Sequence, residues 1–244
     1  YATCFNALEL NYSFYSMPKK QQMQDFYERS EGKLQFSIKA NRELTHEIGS
    51  SWRERANEFK DAVSFLNDKN VLSTVLFQLP QGFHYEKENR LYLADLIKEF
   101  AGYNLVVEFR HKEWIRDSVF EGLSERGVSV AFCDMPDIKY IPHEDIKKLE
   151  SDEKLFSQFI GNTTYIRLHG RNKNAWYVNE SNNSSNGSAR YDYAYSKDEL
   201  GEFVPVIKNA VRKGKKVLVF FNNHPKGSGA LNAAELKNMI GGSC

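Results

Sequence analysis

A chain of 244 residues, 41% apolar and 27% charged, has the make-up of a globular protein able to bury a core without disulfide or metal staples. Its 33 Lys and Arg stand against 32 Asp and Glu, so the net charge of +1 supports neither a strongly basic nucleic-acid footprint nor an acidic solvating chain. A mean hydropathy of −0.58, with no long apolar run, excludes a membrane-spanning helix.

Phe5–Leu10 begins a pattern that repeats along the chain. A short β-branched or aromatic run ends in polar residues, and a segment with helical spacing follows. Pro18 opens the first such segment, with Met23, Phe26 and Tyr27 at i, i+3, i+4. The run Leu34–Ala40 leads to a second stripe of Trp52, Ala56, Phe59, Val63 and Leu66. Ser73–Leu79 leads to a third, with Leu91, Ala94 and Leu96–Ile97. After Asn104–Phe109, Asp117 is placed to cap a helix that carries Phe120 and Leu123 and runs to Gly127. Val128–Cys133 precedes a helix over Leu149–Phe159, and Thr163–Leu168 precedes a long loop over 172–190, rich in Asn, Ser and Gly, with Trp176 and Tyr177 near its start. Its polar core, Asn179–Ser188, reads as a surface insertion. Tyr191, Tyr193 and Tyr195 then alternate as in an extended segment with one aromatic face, expected to pack. Ser196 and Glu199 form a capping box for a helix running to Val211; Lys216–Phe221 and a helix over Ala230–Ile240 complete the series.

Runs of four to eight residues, apolar on both faces for much of their length, suit strands of a parallel sheet. Alternating strands and helices allow an open doubly wound sheet or a closed TIM-type (β/α)₈ barrel. The barrel is favoured. The strand starts recur roughly every 35 residues, near the about 30 of a 250-residue eightfold barrel. No Gly-x-Gly-x-x-Gly follows the first strand, so the usual dinucleotide reason for an open sheet is missing. The whole chain, 1–244, is thus expected to be one barrel domain whose first β/α unit lies upstream of Tyr1.

In such barrels the site gathers at the carboxyl ends of the strands. Every run here delivers polar groups there: Glu9 and Asn11, then Lys39, Gln78, Glu108 with Arg110 and His111, Asp134, Arg167 with His169, and Asn222 with Asn223. Glu9, Glu108 and Asp134 balance Lys39, Arg110 and Arg167. Such a ring can be a self-satisfied ion-pair network or a functional site, because both use the same residue types.

As a site, Arg110 and Arg167 offer bidentate recognition of a carboxylate or phosphate, and Lys39 adds a point charge. Glu9 and Glu108 then form the acid–base pair, with Asp134 and His169 assisting. Asn11, Gln78, His111 and Asn222 complete the substrate-binding set. A divalent metal on Glu108, His111, Asp134 and His169 is the alternative, though no His-Glu-x-x-His or other tight ligand spacing supports it. His46, after Thr45, reads as a surface or capping residue, and His84 and His143 as structural or exposed. His224 lies close enough to the strand end to be a weak candidate. Trp114 reads as packing. Three scattered cysteines, Cys4, Cys133 and Cys244, make no disulfide framework or zinc ribbon and suit a reducing, cytoplasmic setting.

An ordered series of short motifs resembles the YecE-like barrel family, a domain of unknown function. It comprises Leu8-Glu9-Leu10-Asn11 before Phe14-Tyr15; Phe36-Ser37-Ile38-Lys39-Ala40; Thr45-His46; Leu76-Phe77-Gln78-Leu79-Pro80; and Val107-Glu108-Phe109-Arg110-His111 with Trp114. Asp134-Met135-Pro136 follows, then Tyr165-Ile166-Arg167-Leu168-His169-Gly170-Arg171, Tyr191-Asp192-Tyr193 with Tyr195-Ser196, Phe221-Asn222-Asn223 and Asn232-Ala233. The resemblance runs from the first residues to about Ile240. It implies a TIM-type barrel and no particular activity. Ser13 stands where the family usually has Thr, and Glu113 where Ser is common. The family's opening strand and its Gly-Thr-Ser-Gly-Trp-like loop have no counterpart here.

The expected function is that of an enzyme acting on a small phosphorylated or carboxylated compound. The rivals are a metal-dependent phosphoester hydrolase, with nucleic acid as a less favoured substrate, and a non-catalytic ligand-binding barrel.

Overall fold

The computed structural model describes residues 1–159, 161–176, 189–223 and 225–241. Two compact units divide the chain, Tyr1–Trp114 and Ile115–Cys244. Both are α/β with parallel strands.

In the first unit, β1 (Ala7–Leu10), α1 (Tyr12–Tyr15), α2 (Lys20–Arg29), β2 (Gln35–Lys39), α3 (Trp52–Asp68), β3 (Leu72–Gln78), α4 (Lys87–Glu99) and β4 (Leu105–Glu108) follow in order. β1 pairs with β2, β2 with β3 and β3 with β4, all parallel. Register aligns Glu9 with Ser37 and Ser37 with Thr74; farther along, Lys39 aligns with Leu76 and Gln78 with Glu108. Because side chains alternate along a strand, these residues share one face. Leu8, Leu10, Phe36, Ile38, Val75, Phe77, Leu105 and Val107 occupy the other. That second face is the apolar one: Phe77 meets Phe100 edge-on at 5.1 Å, and Phe100 meets Phe59 of α3 at 6.0 Å. Strands expected to be apolar on both faces thus carry a distinct polar face.

The register slips between Phe36 and Ser37, and just beyond the slip Thr74 Oγ1 donates to Ser37 Oγ at 2.7 Å, both residues buried. The stripe of α3 buries Trp52, Ala56, Phe59, Ala62, Val63 and Leu66 as its spacing predicts. Burial of each large apolar side chain contributes about 1.5–3 kcal/mol. On α4 the buried residues are Leu93, Leu96 and Ile97, whereas Leu91 is 59% exposed and Ala94 is exposed too. Phe100, at the end of α4, takes part in the core and leaves the earlier turn to solvent.

The second unit holds α5 (Asp117–Ser124), β5 (Ser129–Val130), β6 (Phe132–Asp134), α6 (Ile146–Ser151), α7 (Glu153–Phe159), β7 (Thr163–Leu168), α8 (Lys197–Gly201), α9 (Val204–Arg212), β8 (Lys216–Phe221) and α10 (Ser228–Met239). β6, β7 and β8 form a parallel sheet in that order. The run Val128–Cys133 is divided between β5 and β6. The expected helix over Leu149–Phe159 begins earlier and is two helices, because Asp152 caps the second by accepting from the Leu155 amide at 3.0 Å. The helix expected from Ser196 to Val211 also breaks, where Pro205 enters the first turn of α9 and can donate no backbone hydrogen bond. Asp117 is the first residue of α5, not its cap: Arg116 holds the cap position, and the Asp117 carboxylate accepts from Lys154 at 2.6 Å and Gln158 at 2.7 Å.

Within the loop 172–190, short 3₁₀ turns occupy Lys173–Ala175 and Ala189–Tyr191, and Trp176 is buried with Met135 and Ile141. Tyr177, Asn179–Ser188, His224 and Cys244 lie outside the described residues. Cys4 is exposed and Cys133 is half-buried.

Candidate functional site

The polar face of the first unit ends in a set of paired side chains. Lys39, at the end of β2, donates from Nζ to Gln78 Oε1 at 2.7 Å. Its ammonium also lies 3.9 Å from the centroid of Phe14, a cation–π position. Glu108 is fully buried and accepts from Arg110 Nε. Asn11 donates to Glu9 Oε1 at 2.9 Å. The half-buried setting of Lys39 is built locally: Ser13 Oγ, buried, bonds to the carbonyls of Leu10 at 3.0 Å and Lys39 at 2.6 Å, tying the ends of β1 and β2 together. A hydroxyl is what this position needs, and Ser supplies it as Thr would.

His46 joins this group, although its sequence context marks it as peripheral. The 3₁₀ turn Arg42–Leu44, capped by the Asn41 side chain on the Glu43 amide at 3.1 Å, brings the chain back over the strand ends. The His46 ring meets Phe14 edge-on at 4.7 Å, and its Nδ1 lies 2.9 Å from Thr45 Oγ1. Desolvation, then the fields of Lys39 and Arg110, push its pKa down to about 4 against the opposing pull of Glu108. His46 is therefore a neutral imidazole beside two cations at pH 7.

His111 takes a different place. Its ring lies 4.5 Å from that of His84, and Glu113 Oε2 is within 3.4 Å of its Nδ1. Burial lowers its pKa. Trp114 packs as expected, stacked between Phe83 and Phe109 at 5.4 and 4.9 Å.

In the second unit Asp134, at the end of β6, is 4% exposed and already engaged. Arg171 grips its carboxylate at 3.0–3.2 Å, and Tyr195 donates its hydroxyl at 2.6 Å. Arg171 reaches on to Glu202 at 2.9 Å, while Tyr195 accepts from the Gly170 amide at 2.9 Å. Burial works to lower the Arg171 pKa, but the carboxylates outweigh it and raise it, and burial beside Asp134 raises that of Tyr195 well above its ordinary value. Asn232 holds Tyr195 at both backbone groups, at 2.8 and 3.0 Å, and receives Asn223 Nδ2 at 2.8 Å. Gly170 has φ +91°, and a Cβ there would come within 2.5 Å of Tyr193 Cβ. The expected alternating tyrosine face is thus a tether: Tyr191 closes a 3₁₀ turn, Tyr193 donates to Glu199, and Tyr195 is buried. Arg171, absent from the sequence-based ring, neutralises Asp134. With Asp134 held this way and His111 beside His84, two members of the expected metal set have other settings. Arg167 is buried on β7, and His169 Nδ1 lies 3.2 Å from Asn222 Nδ2.

Residues 1–243 match a family described as "Protein of unknown function DUF72". The chain belongs to the DUF72 family. Among its relatives, the UPF0759 protein YunF of Bacillus subtilis (strain 168) is 26% identical over 249 residues, spanning 98% of this chain and 85% of that one. A solved DUF72 family protein (TM1631) from Thermotoga maritima MSB8 is 28% identical, with a TM-score of 0.80 over 97% of this chain and 85% of that chain. A second DUF72 structure (EF0366), from Enterococcus faecalis V583, is 20% identical with a TM-score of 0.82 and shares the fold over 100% of this chain and 92% of that one. The YecE-like resemblance read from the motifs is thereby met by membership of DUF72.

Proposed function

We propose that this DUF72 protein is an enzyme acting on a small anionic compound, phosphorylated or carboxylated, held at the carboxyl ends of parallel strands in a TIM-type barrel. The barrel reading is supported by the uniformly parallel pairing inside each unit and by the alternation of strands with helices.

One observation carries the functional reading: the half-buried Lys39 and Arg110 stand at the end of β2 and just beyond β4, the strands on either side of β3, with neutral His46 in the field of both. An anion placed there gains from a point charge and from a planar guanidinium, both partly desolvated. Gln78 orients the ammonium. Two carboxylates in different surroundings supply the acid–base pair: Glu108 buried beside Arg110, and Glu9 half-buried with Asn11. His46, neutral at pH 7, can donate a hydrogen bond to developing negative charge or relay a proton. In the second unit, Arg167 and Asn222 are the proposed binding groups, His169 assists proton transfer, and Asp134 acts as a positioning residue through Arg171 and Tyr195.

The test is titration calorimetry of the full chain with inorganic phosphate, a sugar phosphate and a short dicarboxylate, comparing wild type with Lys39→Met and Glu108→Gln. Binding at least tenfold weaker in Lys39→Met is expected, the loss of about 1.4 kcal/mol that one charge-assisted contact supplies. Glu108→Gln should still bind, yet turn over no compound that wild type converts. Equal binding by wild type and Lys39→Met would make the polar face a structural network. Binding without turnover by either protein would favour a ligand-binding role.

A further inference from the structure

We infer that His84, His111 and Glu113 form a zinc site, built by the two loops that follow β3 and β4. These residues each offer a ligand atom within 4.8 Å of the others. Glu113 Oε2 lies 3.2 Å from His84 Nδ1 and 3.4 Å from His111 Nδ1. Zinc bound tetrahedrally by nitrogen and oxygen at about 2.0–2.1 Å places its ligands roughly 3.3 Å apart. Both distances fit edges of such a tetrahedron before any ion is added.

The Glu113 amide donates to His111 Nδ1 at 3.3 Å, a bond that an ion taking this nitrogen as its ligand replaces. Glu113 is the anionic ligand that two neutral imidazoles need beside them for a divalent ion of this class. His111 is buried, whereas the side chains of His84 and Glu113 are 46% and 43% exposed, so an ion can enter and keep a water or substrate atom as its fourth ligand.

The two loops are also fastened to each other by contacts beyond those among the three ligands. Trp114 Nε1 donates to the Phe83 carbonyl at 2.6 Å, and the indole stacks on Phe83. Tyr85 meets the same indole edge-on at 5.1 Å, and its amide approaches Glu113 Oε2 at 3.3 Å. Asn89 holds the His84 carbonyl at 3.0 Å. His84 and Glu113, 29 positions apart in sequence, are therefore positioned by a rigid aromatic clamp, the support that a preorganised metal site requires. The site takes no ligand from Lys39 or Arg110 and is independent of the anion reading.

Chelator-treated full-length protein titrated with zinc sulfate tests it, with Lys39→Met as a control. Wild type and the control should each take up one zinc, and both His84→Ala and Glu113→Gln should bind it at least tenfold more weakly. Cobalt(II) should give the intense visible bands of a four-coordinate ion in wild type and lose them in both variants. Far-UV circular dichroism checks that the variants fold, as their partly exposed positions lead one to expect. No zinc uptake by wild type overturns the assignment, as does undiminished affinity in the two folded variants.

Discussion

His46 follows a threonine in a loop, and no partner residue at a recognisable spacing marks it out. Its importance comes from the path of the chain, which folds it against Phe14 and into the field of Lys39 and Arg110. The pH consequence can be worked out. With its pKa near 4 in the fold and near 6.5 in the unfolded chain, the native state binds fewer protons between those values. Stability contributed by neutral His46 is therefore full above about pH 6.5 and is lost progressively as pH falls towards 4. Urea unfolding of wild type and His46→Gln at pH 7 and pH 4.5 measures this. The variant should lose clearly less stability on acidification, and an equal loss would place the effect in other groups. Glu9, Lys39, Gln78 and Glu108 were legible beforehand because a period of two and a strand end define their place. His84 and Glu113 were not, since their meeting depends on two loops brought together by Trp114.

At the scale of elements, periodicity located cores better than boundaries. Thr163–Leu168 and Lys216–Phe221 are strands over the residues the pattern indicates, and the apolar stripe of α3 is buried throughout. Long helical readings failed where one residue offered the backbone another partner or removed a donor: Asp152 between α6 and α7, and Pro205 in α9. The capping box of α8 was readable because its two residues are local. Ser196 Oγ accepts from the Glu199 amide at 3.3 Å, and the Glu199 carboxylate accepts from the Ser196 amide at 2.8 Å. Ser196→Ala should cost about 1 kcal/mol, seen as a lower urea midpoint with an unchanged slope. A change below a few tenths would mean that Tyr193 and Arg171 hold Glu199, and with it the helix start, without the serine.

For the molecule as a whole, a near-zero net charge limits what the chain can bind by electrostatics alone. Fluorescence anisotropy of a labelled DNA duplex at physiological salt should show no binding at about 10⁻⁵ M protein, where a basic groove would give a salt-dependent rise. Among the described residues no helix is long and apolar enough to cross a membrane. The α/β alternation was legible because it is repeated; the polar character of one sheet face was not, because small hydroxyl residues look neutral in a composition scan. Ser37 and Thr74 show what such residues accomplish. A one-residue slide sets Ser37 against Ser73 or Val75 and turns a strand's side chains to the wrong face. Either slide parts the Ser37 and Thr74 hydroxyls, so their bond belongs to the native register. The hydroxyl pair thus acts as a register mark, a polar key set into otherwise apolar strands.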